Sequence, residues 1–157
     1  MNGLLEFVFE GVPANQLAQL IMDCLCEEEN VSDATQDGVN LPLKFVLDPA
    51  YWSSIGSVGE DKACTLNLRV LRIRSKSVER ATLQIIHYSD INDVSVLLAS
   101  TDCKQGNVSN PEEIYQWARE ISEKYSVDNF FGGLEPASDE HTQLFSKSGV
   151  GPVKTIG

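Results

Sequence analysis

Residues 62–75 constrain the fold of this chain more than any other stretch. Cys64, Leu66, Leu68 and Val70 alternate with Thr65, Asn67 and Arg69, and a side-chain period of two marks a strand with one buried face. The phase then switches: Leu71 and Ile73 become the apolar set, with Arg72 and Arg74 opposite. One extra residue at Val70-Leu71, a β-bulge, restores a single buried face and brings Arg69, Arg72 and Arg74 to the same exposed side. A strand of this kind belongs in an antiparallel sheet covered on one side only.

The other segments fit that frame. Leu4 to Phe9 reads as a first strand, with Leu5, Phe7 and Phe9 on one face. Pro13 opens a helix whose buried stripe is Leu17, Leu20, Ile21 and Cys24, recurring at three and four residues. Polar residues 30–42 read as a loop, Leu43 to Leu47 as a short strand, Pro49 to Ile55 as one helical turn, and the segment around Gly56, Ser57 and Gly59 as another loop. Residues 81–88 and 93–100 read as strands of a hairpin joined through Ser89, Asp90, Asn92 and Asp93, followed by a loop over 101–110. Ser109 or Asn110 caps a second helix with Pro111 in its first turn, an apolar stripe of Ile114, Trp117, Ala118, Ile121 and Tyr125, and a Glu120–Lys124 pair four residues apart. The expected fold class is α+β: a mainly antiparallel sheet with two helices packed on one face, the other face bearing the arginines. The expected organisation is a single domain over residues 1–157, with residues 146–157 a loosely held C-terminal strap.

Charge narrows the function classes. The chain has 23 Asp and Glu against 12 Lys and Arg, a net charge of −11. Such a field repels phosphate backbones and anionic lipid heads, so nucleic acid and membranes are poor partners and a basic protein is the natural complement. Eleven acids and one base, Lys44, fall in residues 1–61, whereas Arg69, Arg72, Arg74, Lys76 and Arg80 crowd into residues 69–80. The acidic candidates for partner binding are Glu27, Glu28, Asp33, Asp37, Asp128, Glu135, Asp139 and Glu140. The alternative partner or anion face is Arg69, Arg72 and Arg74. The plain reading of either set is a solvated surface.

No catalytic or metal site is expected, and no cofactor. Cys24, Cys26, Cys64 and Cys103 lack zinc-knuckle spacing and read as free thiols of a reducing compartment, Cys24 and Cys64 in the core. His87 is in phase with Leu83 and Ile85 and reads as a satisfied core or edge histidine; His141 beside Asp139 and Glu140 is the one place where a metal or an activated thiol such as Cys103 is considered. Gly149-Val150-Gly151-Pro152-Val153-Lys154-Thr155 lacks the glycine before lysine that a phosphate loop needs. The N-terminal stretch has no basic residue ahead of its apolar run, so a cytoplasmic location is expected.

The segment Phe131-Gly132-Gly133-Leu134-Glu135-Pro136-Ala137-Ser138-Asp139-Glu140-His141-Thr142-Gln143-Leu144-Phe145, together with the small, acidic α+β profile, resembles the immunity proteins of bacterial toxin–immunity systems, including contact-dependent inhibition. The resemblance implies a non-enzymatic inhibitor that covers the active site, or an adjoining surface, of a cognate and basic toxin domain. On that reading, charge reversal at Asp33, Asp37, Asp139 and Glu140 weakens binding more than reversal at Arg69, Arg72 and Arg74. Two alternatives stand beside it: an adaptor or assembly subunit acting through homo- or hetero-oligomerisation, a homodimer among the possibilities, and an enzyme of unrecognised type.

Overall fold

The computed structural model describes residues 3–25, 28–55, 60–88 and 90–156. The fold is α+β, built on one antiparallel sheet. In chain order the elements are β1 (Leu4–Pro13), α1 (Ala14–Leu25), a single 3-10 turn (Glu28–Asn30), β2 (Val31–Gln36), β3 (Val39–Asn40), α2 (Leu43–Val46), α3 (Pro49–Ile55), β4 (Lys62–Ile73), β5 (Lys76–Tyr88), β6 (Ile91–Ala99), α4 (Ser100–Gln105), α5 (Pro111–Lys124), β7 (Asn129–Leu134), a second 3-10 turn (Glu140–Thr142), β8 (Gln143–Ser146) and β9 (Gly149–Val150). Among the described residues the nine strands lie in the order β3-β2-β4-β5-β6-β1-β7-β8-β9.

Register shows which residues share a face. Leu5, Phe7 and Phe9 of β1 sit opposite Leu98, Val96 and Val94 of β6, which in turn oppose Ala81, Leu83 and Ile85 of β5. Cys64, Leu66 and Leu68 of β4 continue the row. All are buried, each large side chain contributing about 1.5–3 kcal/mol by leaving water. The stripes of α1 and α5 cover this face. Trp117 of α5 meets Phe7 and Phe9 edge-on at ring-centroid distances of 6.0 and 5.8 Å. Asn110 is the N-cap of α5, its side chain accepting from the Glu112 amide at 3.0 Å. Within residues 146–157, β9 pairs with β8, the Val153 amide donates to the Gln143 carbonyl, and Ile156 is buried in the core.

The glycine pair after Phe131 has a packing cause. A Cβ at Gly132 would lie 2.5 Å from Phe145 and 2.7 Å from Phe7. Only glycine lets those two rings close over β7, with centroids 5.7 Å apart.

Several expectations are corrected. Residues 30–42 are not a loop: they hold the β2–β3 hairpin, whose Asp37-Gly38 turn has positive φ at both positions, 49° and 81°, as two-residue hairpins prefer. Leu43 to Leu47 is not a strand but carries α2; a short apolar run has no period to separate the two, and packing of buried Val46 with Trp52 settles the outcome. The loop expected over 101–110 contains α4. The described residues hold five α-helices, two long and three short, rather than two. The phase switch in β4 is real, but not by a bulge in one strand. Pairing with β5 keeps one register from Leu68–Ala81 through Leu71–Val78, and β5 switches phase with it, at Arg80, where φ is 62°. The Glu120–Lys124 pair does not form; Glu120 pairs with Arg74 at 3.4 Å and Lys124 with Asp23 at 3.2 Å. Cys26, Glu27, residues 56–59, for which a loop was expected, and Ser89 of the expected hairpin connection lie outside the described residues.

Candidate functional site

The acidic candidates separate into three places. Glu28, Asp33 and Asp37 lie near the β2–β3 edge, all exposed. Asp33 accepts from the Asn67 amide group at 2.7 Å, and Asp37 accepts from the Ala63 backbone amide at 2.9 Å. Glu135, Asp139 and Glu140 lie between β7 and β8, where Asp139 caps the second 3-10 turn and Glu140 borders a hollow of about 520 Å³. From β2 to β8 there are six strand spacings, roughly 29 Å at about 4.8 Å each. Asp128 stands apart from both, before β7 and against Gly11 of β1.

The arginines do not form a free patch on the open face of the sheet. Arg69 donates to the backbone carbonyls of Glu29 and Val31, tying the start of β2 to β4. Arg72 borders a cleft of about 220 Å³ between α1 and α5, with Asp23, Trp117 and Tyr125. Arg74 pairs with Glu120, and Lys76 with Glu113 at 2.8 Å. The basic run therefore largely joins strands to helices.

His87 is fully buried, its Nδ1 2.9 Å from the Asn92 side-chain oxygen, a satisfied core histidine. The exposed His141 contributes its backbone amide to Asp139 at 3.0 Å. Among the described residues no three His, Cys, Asp or Glu side chains converge as metal ligands. Cys103 is buried, and burial pushes its thiol up to about 12, with the Asp102 carboxylate adding to the shift; it stays protonated and is a poor nucleophile at neutral pH. Among the described residues no helix is long and apolar enough to cross a membrane.

The surface that sequence reasoning missed is the open face of β5, β6 and β1. Ile86, Tyr88 and Ile91 are exposed there at 47%, 39% and 41%. Tyr88 sits directly opposite Ile91, and Ile86 opposite Asp93. Asp93 is fixed from two sides: one oxygen accepts from the Tyr88 hydroxyl and the other from the Gly11 amide, each at 2.9 Å. Gly11 supplies that amide from a bulge between Phe9 and Val12, at φ 71°. The Glu10 side chain accepts from Asn129 at 2.9 Å. The phenol of Tyr88 is pushed above its ordinary range, chiefly by its hydrogen bond to Asp93, with Glu10 adding to the field. The signal was available: Ile86 and Tyr88 occupy the polar phase of an otherwise alternating strand.

No curated protein matches the chain. A chain of the crystal structure of the toxic C-terminal tip of CdiA from Pseudomonas aeruginosa in complex with immune protein is similar, with a TM-score of 0.79, 24% identity, and coverage of 98% of this chain and 99% of that one; the likeness is one of fold. The model of the PABL017 Cdi1I immunity protein family matches residues 3–150. That span takes in the strands and α-helices of the described residues, and the chain belongs to this immunity protein family.

Proposed function

We propose that the chain neutralises a cognate toxin domain by binding it, covering the toxin's active site or an adjoining surface. The observation that carries this reading is the family match across residues 3–150. The likeness in fold to a chain from a toxin–immune protein complex supports it. In this reading the chain works in the cytoplasm as a non-enzymatic inhibitor, without a cofactor, and its partner is basic. The excess of 23 acids over 12 bases steers the encounter, and the exposed carboxylates Glu28, Asp33, Asp37, Asp128, Glu135, Asp139 and Glu140 contribute to that field.

The test co-expresses the chain with a candidate cognate toxin domain. Co-purification in a stable complex, with loss of toxicity on co-expression, is the expected result. Its association rate falls at least tenfold between about 50 mM and about 500 mM salt, because exposed charges separated by more than a Debye length are screened. A toxin that stays free and fully active beside an excess of the chain overturns the reading.

A further inference from the structure

The open sheet face has an uneven charge pattern. β1, β6, β7 and the part of β5 beyond Arg80 contain no Lys or Arg, and they are neighbours in the sheet. Across this cation-free width the outward positions of β1 and β6 include Glu6, Glu10 and Asp93, each already oriented by a hydrogen bond: Glu6 from the Ala137 amide, Glu10 from Asn129, Asp93 from Tyr88 and Gly11. At one end of the same face stand Ile86, Tyr88 and Ile91. Exposed apolar side chains grouped among polar ones mark interaction sites. An aromatic anchor within a water-excluding ring is the common form of a binding hot spot.

We propose that the β5–β6 hairpin end of this face, with Tyr88 as anchor and Glu10 and Asp93 as its acidic rim, is where the cationic surface of the toxin seats. The inference rests on the toxin-binding reading above and adds the place of contact. Charge selects the occupant: a second copy of the chain would set carboxylates against carboxylates, whereas a surface rich in Lys and Arg meets them with opposite sign. Little ordering is needed on binding, because the Asp93 carboxylate is already held by two donors. Elsewhere, exposed Phe45 has Lys44 over its ring and so lacks a cation-free rim.

The experiment measures affinity for the same toxin domain with the wild-type chain and with Tyr88→Ala, Ile86→Lys and Phe45→Lys, alongside melting temperatures and light scattering. Tyr88→Ala and Ile86→Lys are expected to weaken binding about thirtyfold or more with unchanged melting temperature, while Phe45→Lys stays within about threefold of wild type. Ile86 makes no side-chain hydrogen bond and is half exposed, so Ile86→Lys decides the matter if Tyr88→Ala lowers stability. Wild-type binding with both hairpin variants within about threefold of it overturns this surface and leaves the toxin-binding reading standing. A wild-type dimer that Ile86→Lys converts to monomer also overturns it, by assigning the face to a second copy. Failure of the wild-type chain to bind the toxin domain removes both the reading and the inference.

Discussion

At a few single residues the geometry leaves no choice. Gly11 combines φ 71° with a virtual Cβ 2.5 Å from the Asp128 carboxylate. Gly11→Ala is therefore expected to cost about 1–3 kcal/mol in urea denaturation. Gly38, at φ 81° with nothing within 4 Å of a Cβ, is expected to cost less on the same change, since strain acts there without a clash. Trp52 is fully buried and donates its indole N–H to the Val46 carbonyl at 2.9 Å; Trp52→Ala is expected to remove about 3–5 kcal/mol. Cys103 sets a pH dependence. Its thiol rises from 9.0 to about 12 on burial, so the folded state holds this proton more tightly than the unfolded state. The resulting stability is fully present below about 9 and is lost as pH rises toward 12. Denaturation midpoints measured across that window should fall less steeply for Cys103→Ala than for wild type.

At the scale of elements, ion pairs join the strands to the helices with unequal weight. Arg74–Glu120 is exposed on both sides and is worth at most about 1 kcal/mol. Arg80–Asp102 differs, because Asp102 on α4 is 5% exposed while Arg80 is 73% exposed. Arg80→Ala strands a buried carboxylate and is expected to destabilise by about 1–3 kcal/mol, more than Arg74→Ala; thermal melts of the two variants check the order. The elements also show what sequence pattern carries. Helices α1 and α5, and the alternating parts of β4, β5 and β6, were legible because each repeats a period over several turns or pairs. β2 and β3 were not, because β2 buries only Val31 and Ala34, three residues apart and out of strand phase, and the two-residue β3 exists by pairing with β2. Four-residue α2 and six-residue α4 are shorter than any period can reveal. The paired phase switch was half visible: β4 announced it, but its cause, Arg80 at φ 62°, lies on the partner strand.

At the scale of the whole molecule, one covered face and one open face divide the labour. The covered face holds the core and most of the aromatic contacts. On the open face β1, β6, β7 and the part of β5 beyond Arg80 contain no Lys or Arg, and the proposed seat for a positively charged partner rests on that pattern. The acidic bias of the candidate site was legible as composition. Its location was not, because the sheet order sets β1 beside the β5–β6 hairpin although some eighty residues separate them, as between the paired Val12 and Asn92. The arginines misled for the same reason: their neighbours in space, Glu120 and the Glu29 and Val31 carbonyls, are distant in the chain. A protein of this kind acts by occupancy. The most direct measurement is a titration of the purified toxin domain with the chain, following the toxin's activity on its own substrate. The account predicts a linear fall that reaches zero at equimolar chain and then stays flat. Loss of toxin activity at a small fraction of an equivalent, increasing with time, would mean turnover and contradict it.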